Sequence, residues 1–354
     1  MARGQRRRNE KGRWVLIGVA VVAVIAAAAT AVVFLRDGDD GKDGTVTAKT
    51  ELGTVYAPYV YVTLADRPSL TEIAQKTGAN GLHLGFAITK GDECDLTWDG
   101  TTALDTYKDE ISAAAAKGIE VIVSTGGASG GDVTQACGDA ETTQEQLQKL
   151  VDLGVRYLDF DVEGEERVAD TEANEARAKA ILALQQKNPD LKVSFTLAAA
   201  SPTDATTAAG AANTAPWVAA VDAGVAIDRI NLMTMNFGGT VAPQDMAAAT
   251  TAAATGLHSQ IETIQGIDSA NAWGMVGITP MIGVNDLNTE TFSLDNAKTV
   301  TDFAVKNSVG MLSFWSAGRD TQCGADVTKQ PVANCSGVEQ DEYAFASIFK
   351  GVLQ

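Results

Sequence analysis

Asp159, Asp161 and Glu163 occupy alternate positions in the run Tyr157-Leu-Asp-Phe-Asp-Val-Glu-Gly164. Side chains on a strand alternate between faces, so the three acids point one way and Leu158, Phe160 and Val162 the other. Crowded carboxylates cannot all ionise cheaply, so one pKa rises and that group holds a proton near neutrality. Such a trio suits general acid chemistry. Glu163, nearest the C-terminal end, would protonate a leaving oxygen. Asp161 would share a proton with it or orient a polar substrate group, and Asp159 would tune Asp161 from deeper inside. Two plainer readings compete: a solvated strand end and a calcium loop. With Asp170 at the twelfth place, the spacing comes near that of an EF-hand. The interleaved Phe160 and Val162, and the strand-like residues 155–158 before them, argue against that loop.

Other runs carry the same kind of signal. Ser124-Thr-Gly126-Gly127 closes an apolar run, and Asn231-Leu-Met233-Thr-Met235-Asn236 ends another. Trp315 ends the last run, and Thr279-Pro-Met-Ile-Gly-Val-Asn285-Asp286 ends the one before it. With Asp159-x-Asp161-x-Glu163, these motifs resemble, in order, those of glycoside hydrolase family 18, the chitinases and their relatives. The resemblance spans residues 55–315 and implies a barrel fold, no cofactor and a carbohydrate partner, chitin or N-acetylglucosamine oligomers.

It also implies roles. Glu163 is the acid and then the base, and Asp161 holds the substrate's acetamido N–H while that group's own oxygen attacks the anomeric carbon. Trp315 forms the floor under the reacting sugar, where an aromatic face suits the C–H face of the ring. Met233, Met235 and Asn236 line the same site. The family's Tyr-Asp pair on this strand is Met235-Asn236 here, so the phenol that holds the acetamido oxygen is missing, and Tyr59, Tyr61 or Asn285 are the candidates to replace it.

Tyr59 and Tyr61 share a face, alternating with Val60 and Val62, and are expected to meet substrate. Asn285 and Asp286 stand where they could contact hydroxyls, and Trp98 and Trp273 lie in or near loops where indoles could stack on further sugars. Trp217 opens a helix and reads as core, and His83 as a satisfied core residue. The Gly-rich run after Ser124 lacks the Lys-Ser/Thr of a phosphate loop and reads as close backbone packing beside the acids.

These residues need elements to position them. Apolar, β-branched runs recur at 54–63, 81–88, 119–124, 155–163, 192–198, 228–236, 275–282 and 309–315. Helix-like stretches at 104–117, 144–153, 171–187 and 294–307, a helix start at Pro216 and a final amphipathic piece at 341–351 separate or follow them. Strands alternating with helices argue for a parallel sheet, and eight repeats is the count that closes a TIM (β/α)8 barrel. A doubly wound sheet would open with a Gly-rich turn, and Val62-Thr-Leu-Ala65 is not one. In such a barrel the chemistry sits at the C-terminal strand ends, where the singled-out residues cluster.

Three segments result: residues 1–36, a linker at 37–50 that is rich in Gly and Asp, and the barrel at 51–354. In the first, six basic residues precede an uncharged apolar run of 22 residues, Trp14 to Leu35. That is long enough to span a bilayer, with the basic end in the cytoplasm and the barrel outside. Ala29-Thr-Ala31 resembles a cleavage site, but the apolar run continues past it, which favours an uncleaved anchor over secretion. The chain's net charge is −18, and without its first 36 residues 20 basic groups face 44 acidic ones, a net of −24. Such a surface disfavours nucleic acid. Four cysteines without a Cys-x-x-Cys fit an exported protein with two disulfides. Cys94–Cys137 and Cys323–Cys335 is the expected pairing of the three possible, because each joins neighbouring loops of the barrel.

The expected function is therefore an extracytoplasmic retaining glycosidase that cuts β-1,4 links between N-acetylglucosamine units. The alternatives are a non-hydrolytic carbohydrate-binding protein of the same fold, or a hydrolase of another acetamido glycan, peptidoglycan or N-glycan.

Overall fold

The computed structural model describes residues 53–204, 206–324 and 331–354. Eight parallel strands form the centre: β1 (Val55–Tyr56 and Tyr59–Tyr61, interrupted at Pro58), β2 (Gly81–Thr89), β3 (Glu120–Gly126) and β4 (Tyr157–Asp161), then β5 (Lys192–Ala198), β6 (Arg229–Met233), β7 (Val276–Thr279) and β8 (Met311–Leu312). Neighbours pair in parallel from β2 through to β8. The two halves of β1 divide its pairing, the first half with β8 and the second with β2. The strands therefore run round in a ring, and the fold is TIM-like. Each expected strand is present, though β7 and β8 are shorter than their apolar runs because both run on into irregular backbone that carries Met281 and Trp315.

The helices lie between the strands in sequence: α1 (Leu70–Thr77), α2 (Lys108–Ala116), α3 (Ala140–Asp152), α4 (Thr171–Lys187), α5 (Ala215–Ala223), α6 (Met246–Gln265), α7 (Leu294–Asn307) and α8 (Ala344–Phe349). Capping chemistry sets several ends. Ser69 and Glu72 form a reciprocal capping box at α1, and Asp139 and Asp170 accept the first free N–H groups of α3 and α4. Asp170 is thus committed to a helix start, which disposes of the calcium-loop spacing. The expected helix at 104–117 is a 3₁₀ turn followed by α2.

Leu158, Phe160 and Val162 face the helices in the main apolar core. On the inner face, Val55, Ala57, Ile122, Tyr157 and Met311 form a separate buried cluster at one end of the ring. One residue further along each strand's inner face, the filling turns polar: His83, Ser124, Asp159, Ser194 and Asn231 are all buried. That polar layer carries the site.

Both expected disulfides are present, Cys94–Cys137 and Cys323–Cys335, with Cα atoms 4.6 and 5.1 Å apart. The apolar run at 14–35 and the linker lie outside the described residues. Among the described residues, no helix is long and apolar enough to cross a membrane.

Candidate active site

Register decides what surrounds the acids. Asp159 stands between Ser124 of β3 and Ser194 of β5, and Asp161 between Gly126 and Thr196. Three hydroxyls donate to the Asp159 carboxylate: Ser124 Oγ at 2.6 Å, Ser194 Oγ at 2.6 Å and Thr196 Oγ1 at 2.8 Å. His83 Nε2 lies 3.4 Å from its Oδ2, although neither ring nitrogen makes a well-formed hydrogen bond. Burial alone would raise the pKa of Asp159, but His83 and the hydroxyls outweigh it and hold the group below the usual carboxylate value. Asp159 is the ionised member of the trio.

Asp161 is the opposite case. It is equally buried, its Oδ1 has no hydrogen-bond partner, and burial, then the charges of Glu163 and Asp159, push its pKa well above the usual value. The carboxyl therefore holds its proton to higher pH than Asp159 does, with one oxygen free to meet a ligand. Gly126 makes this placement possible: at φ 93°, a Cβ there would stand 2.2 Å from the Asp161 carbonyl oxygen. Gly127 likewise faces the Phe86 ring, so the Gly-rich run is close packing beside the acids.

The two states have a measurable consequence. Folding raises the pKa of Asp161, so the stability linked to its proton is fully present below the unfolded value of about 3.9. It is lost as pH rises through the folded value. Asp161→Asn is neutral at every pH and escapes that loss. Its Tm is expected to exceed that of the wild type at pH 8, with the gap closing by pH 3. Equal Tm values at pH 8 would contradict a raised pKa at Asp161.

Glu163 follows the strand end and is half-buried. Burial raises its pKa, Arg167 pulls it down and Asp286 pushes it up, for a value of about 7. Arg167 is pinned beside it by donating to the carbonyls of Gly127 (3.2 Å) and Gly130 (2.6 Å). A carboxyl that titrates near neutrality at the open end of the ring is a competent proton donor.

Trp315 stands across the mouth at the end of β8. Phe86 stacks with it at 5.7 Å between centroids, and the rings of Tyr59 and Tyr61 lie 5.8 and 6.3 Å away. Tyr59 is buried, stacks on His83 at 4.1 Å, and has its hydroxyl 3.3 Å from Thr196 Oγ1. Tyr61 is half-buried, and a hydrogen bond to Asp99, then burial, raise its pKa. Asp99 also accepts from Thr63 Oγ1. Met233 and Met235 are half-buried and Asn236 exposed at the end of β6.

Three expectations fail. Trp98 is fully buried, donates from Nε1 to the Leu104 carbonyl and packs its edge on Tyr107, so it offers no face to a ligand. Trp273 packs on His258 and Phe303 just before β7 begins, at the far end from the acids. Asn285 is fully buried and spends its amide on the carbonyls of Met281 and Gly283, so it cannot replace the missing phenol. Trp217 is buried, as expected. Sequence reasoning missed Arg167, Asp99, Phe86 and the hydroxyls of Ser194 and Thr196. The last two were detectable: Ser194-x-Thr196 alternates on the strand after the acids with the same period.

No protein-family model matches the chain. Over 311 residues it is 31% identical to the probable bifunctional chitinase/lysozyme of Escherichia coli strain K12, an alignment that covers 83% of this chain and 34% of that protein. Over 281 residues it is 31% identical to endochitinase 11 of Metarhizium anisopliae, which covers 75% and 52% respectively. The chain thus spans about half or less of the curated relatives it matches. The catalytic domain of the hyperthermophilic chitinase from Pyrococcus furiosus superposes with a TM-score of 0.75 at 29% identity, covering 84% of this chain and 94% of that one. By these likenesses, on a TIM-like ring with its acid at the open end, the chain is similar to chitinases in both sequence and fold. The chain thus resembles the chitinase catalytic domains of glycoside hydrolase family 18.

Proposed function

We propose that the chain is an extracytoplasmic retaining glycosidase that hydrolyses β-1,4 links between N-acetylglucosamine units in chitin or its oligomers. The observation that carries this reading is the division of labour within the trio: Asp159 held ionised by its hydroxyls and His83, Asp161 with its pKa raised and an oxygen free, and Glu163 titrating at about 7. A sugar seated on Trp315 would present its glycosidic oxygen to Glu163 and its acetamido group to Asp161. Glu163 gives its proton to the leaving oxygen as the anomeric C–O bond breaks, and the acetamido oxygen forms the new bond from the opposite face. Water then opens the oxazolinium ion, returns a proton to Glu163 and restores the original configuration.

The relatives' names, all chitinases, support the substrate class. Two disulfides support an oxidising compartment. The apolar run at 14–35, after a basic flank, supports delivery across the membrane as an anchor or a cleaved signal. The intact acid argues against a purely binding role. Peptidoglycan is the second candidate, because the E. coli relative's name couples chitinase with lysozyme.

The test is proton NMR of chito-oligosaccharide digests within minutes of mixing. The β-anomer is expected at the new reducing end. The α-anomer would overturn the retaining mechanism, and no cleavage of chito-oligosaccharides beside cleavage of peptidoglycan fragments would overturn the substrate.

A further inference from the structure

The Met235-Asn236 departure at the end of β6 has a structural counterpart in the loop after β7. Asn236, held at φ 51°, donates from Nδ2 to Asp286 Oδ2 at 2.9 Å and accepts from the Leu287 N–H at 3.0 Å. Its own N–H lies 3.4 Å from Asn285 Oδ1. Glu290 is fully buried and closes the other side, taking the N–H groups of Phe237 (3.0 Å) and Gly238 (2.7 Å) on its two oxygens. Burial pushes the Glu290 pKa up, against the pull of these two N–H groups.

The β7 loop is itself held tightly. Asn285 Nδ2 takes the carbonyls of Met281 and Gly283, and the buried Arg319 donates to those of Ile282 (3.0 Å) and Val284 (2.8 Å). Four successive carbonyls are thus satisfied by two side chains. Asp286, the next residue but one, emerges from this anchored backbone and is fixed by Asn236.

We propose that the Asn236–Glu290 clasp is a positioning device that holds the Asp286 carboxylate of the β7 loop against the acid Glu163. Asn236 serves as the neutral tether, and the negative charge beside the acid comes from the neighbouring strand's loop. The inference rests on the glycosidase reading for its purpose. The titratable and charged groups facing Glu163 are Asp161 below it, Arg167 on the segment after β4 and Asp286 on the β7 loop, while Arg319 faces Asp286 from the loop after β8. Asp286 opposes Arg167: it favours the protonated acid, and Arg167 the ionised one.

Titration of the Glu163 side-chain carboxyl by ¹³C NMR, on protein labelled at glutamate and assigned by loss of its signal in Glu163→Gln, reads the effect without turnover. Asp286→Asn is expected to lower the Glu163 titration midpoint by about one pH unit. Asn236→Ala is expected to lower it in the same direction by less, and the double variant to match Asp286→Asn. Glu290→Gln, which keeps the volume but weakens the double acceptance, is expected to shift it as Asn236→Ala does. An Asn236→Ala variant that loses activity while the midpoint stays in place would overturn the proposal, as would additive shifts in the double variant. A wild type that cleaves nothing but shows these shifts would overturn the glycosidase reading instead.

Discussion

Glu163→Gln is expected to lower kcat/KM on chito-oligosaccharides by about 10²–10⁴-fold, the usual contribution of a positioned proton donor. The amide keeps the shape of the side chain, but has no proton to give a leaving oxygen. Affinity for uncleaved oligosaccharide should change little, because Trp315 and Asp161 are untouched. Stability should hold or rise slightly, because one charge facing Asp161 is gone. The wild type should lose kcat/KM above pH about 7, where Glu163 gives up its proton. The variant should lack that limb. An unchanged rate in Glu163→Gln would remove Glu163 from the acid's role, whatever the substrate.

Asp159→Ala is expected to cost stability above all, about 3–5 kcal/mol, the usual penalty for breaking a buried charged network. The lost carboxylate accepts three hydroxyls and faces His83, all within the ring's interior. Each hydroxyl left without an acceptor costs about 1–3 kcal/mol, less what re-pairing recovers. Because folding lowers the pKa of Asp159, its contribution is present above the unfolded value of about 3.9 and lost as pH falls through the folded one. The gap between wild type and variant should therefore be widest near neutrality and narrow in acid. Urea unfolding at pH 7 and pH 3 measures it, with an unchanged slope showing that stability alone moved. A loss below about 1 kcal/mol at pH 7 would mean that the hydroxyls find other partners. Asp161→Asn makes the contrast on the same strand face, since there a neutral side chain is expected to add stability.

Residue type was a good guide wherever the signal was periodic. The alternation of acids with Leu158, Phe160 and Val162 placed the trio inside the ring, because a strand's two faces differ by one residue whatever lies around it. The eight apolar runs became eight parallel strands for the same reason. The cysteine pairing followed once neighbouring loops were known to be neighbours. Trp98 shows where this ends. Its indole lies in a three-residue strand that pairs antiparallel to β2 and folds over Leu104 and Tyr107, an arrangement that no local pattern announces. Asn285 stands in the loop where a substrate contact was expected, but it is fully buried and its amide is consumed by carbonyls of its own loop.

By itself, then, the sequence determined the strand pattern, the inward direction of the three acids and the family motifs, since these depend on side-chain period and residue order. The tertiary structure alone decided which acid holds its proton more tightly. Asp159 and Asp161 are the same residue, on the same face of one strand, and both are buried. Their pKa values part because neighbouring strands bring Ser124, Ser194, Thr196 and His83 to one and none of these to the other's free oxygen. Asp286 reaches Glu163 from a loop far away in the chain, whereas Arg167 stands only four residues after it, and Asn236 fixes Asp286 only because β6 and β7 end side by side. Charge interactions depend on distance through space and on the solvent left between groups, and neither is written in the spacing along a chain.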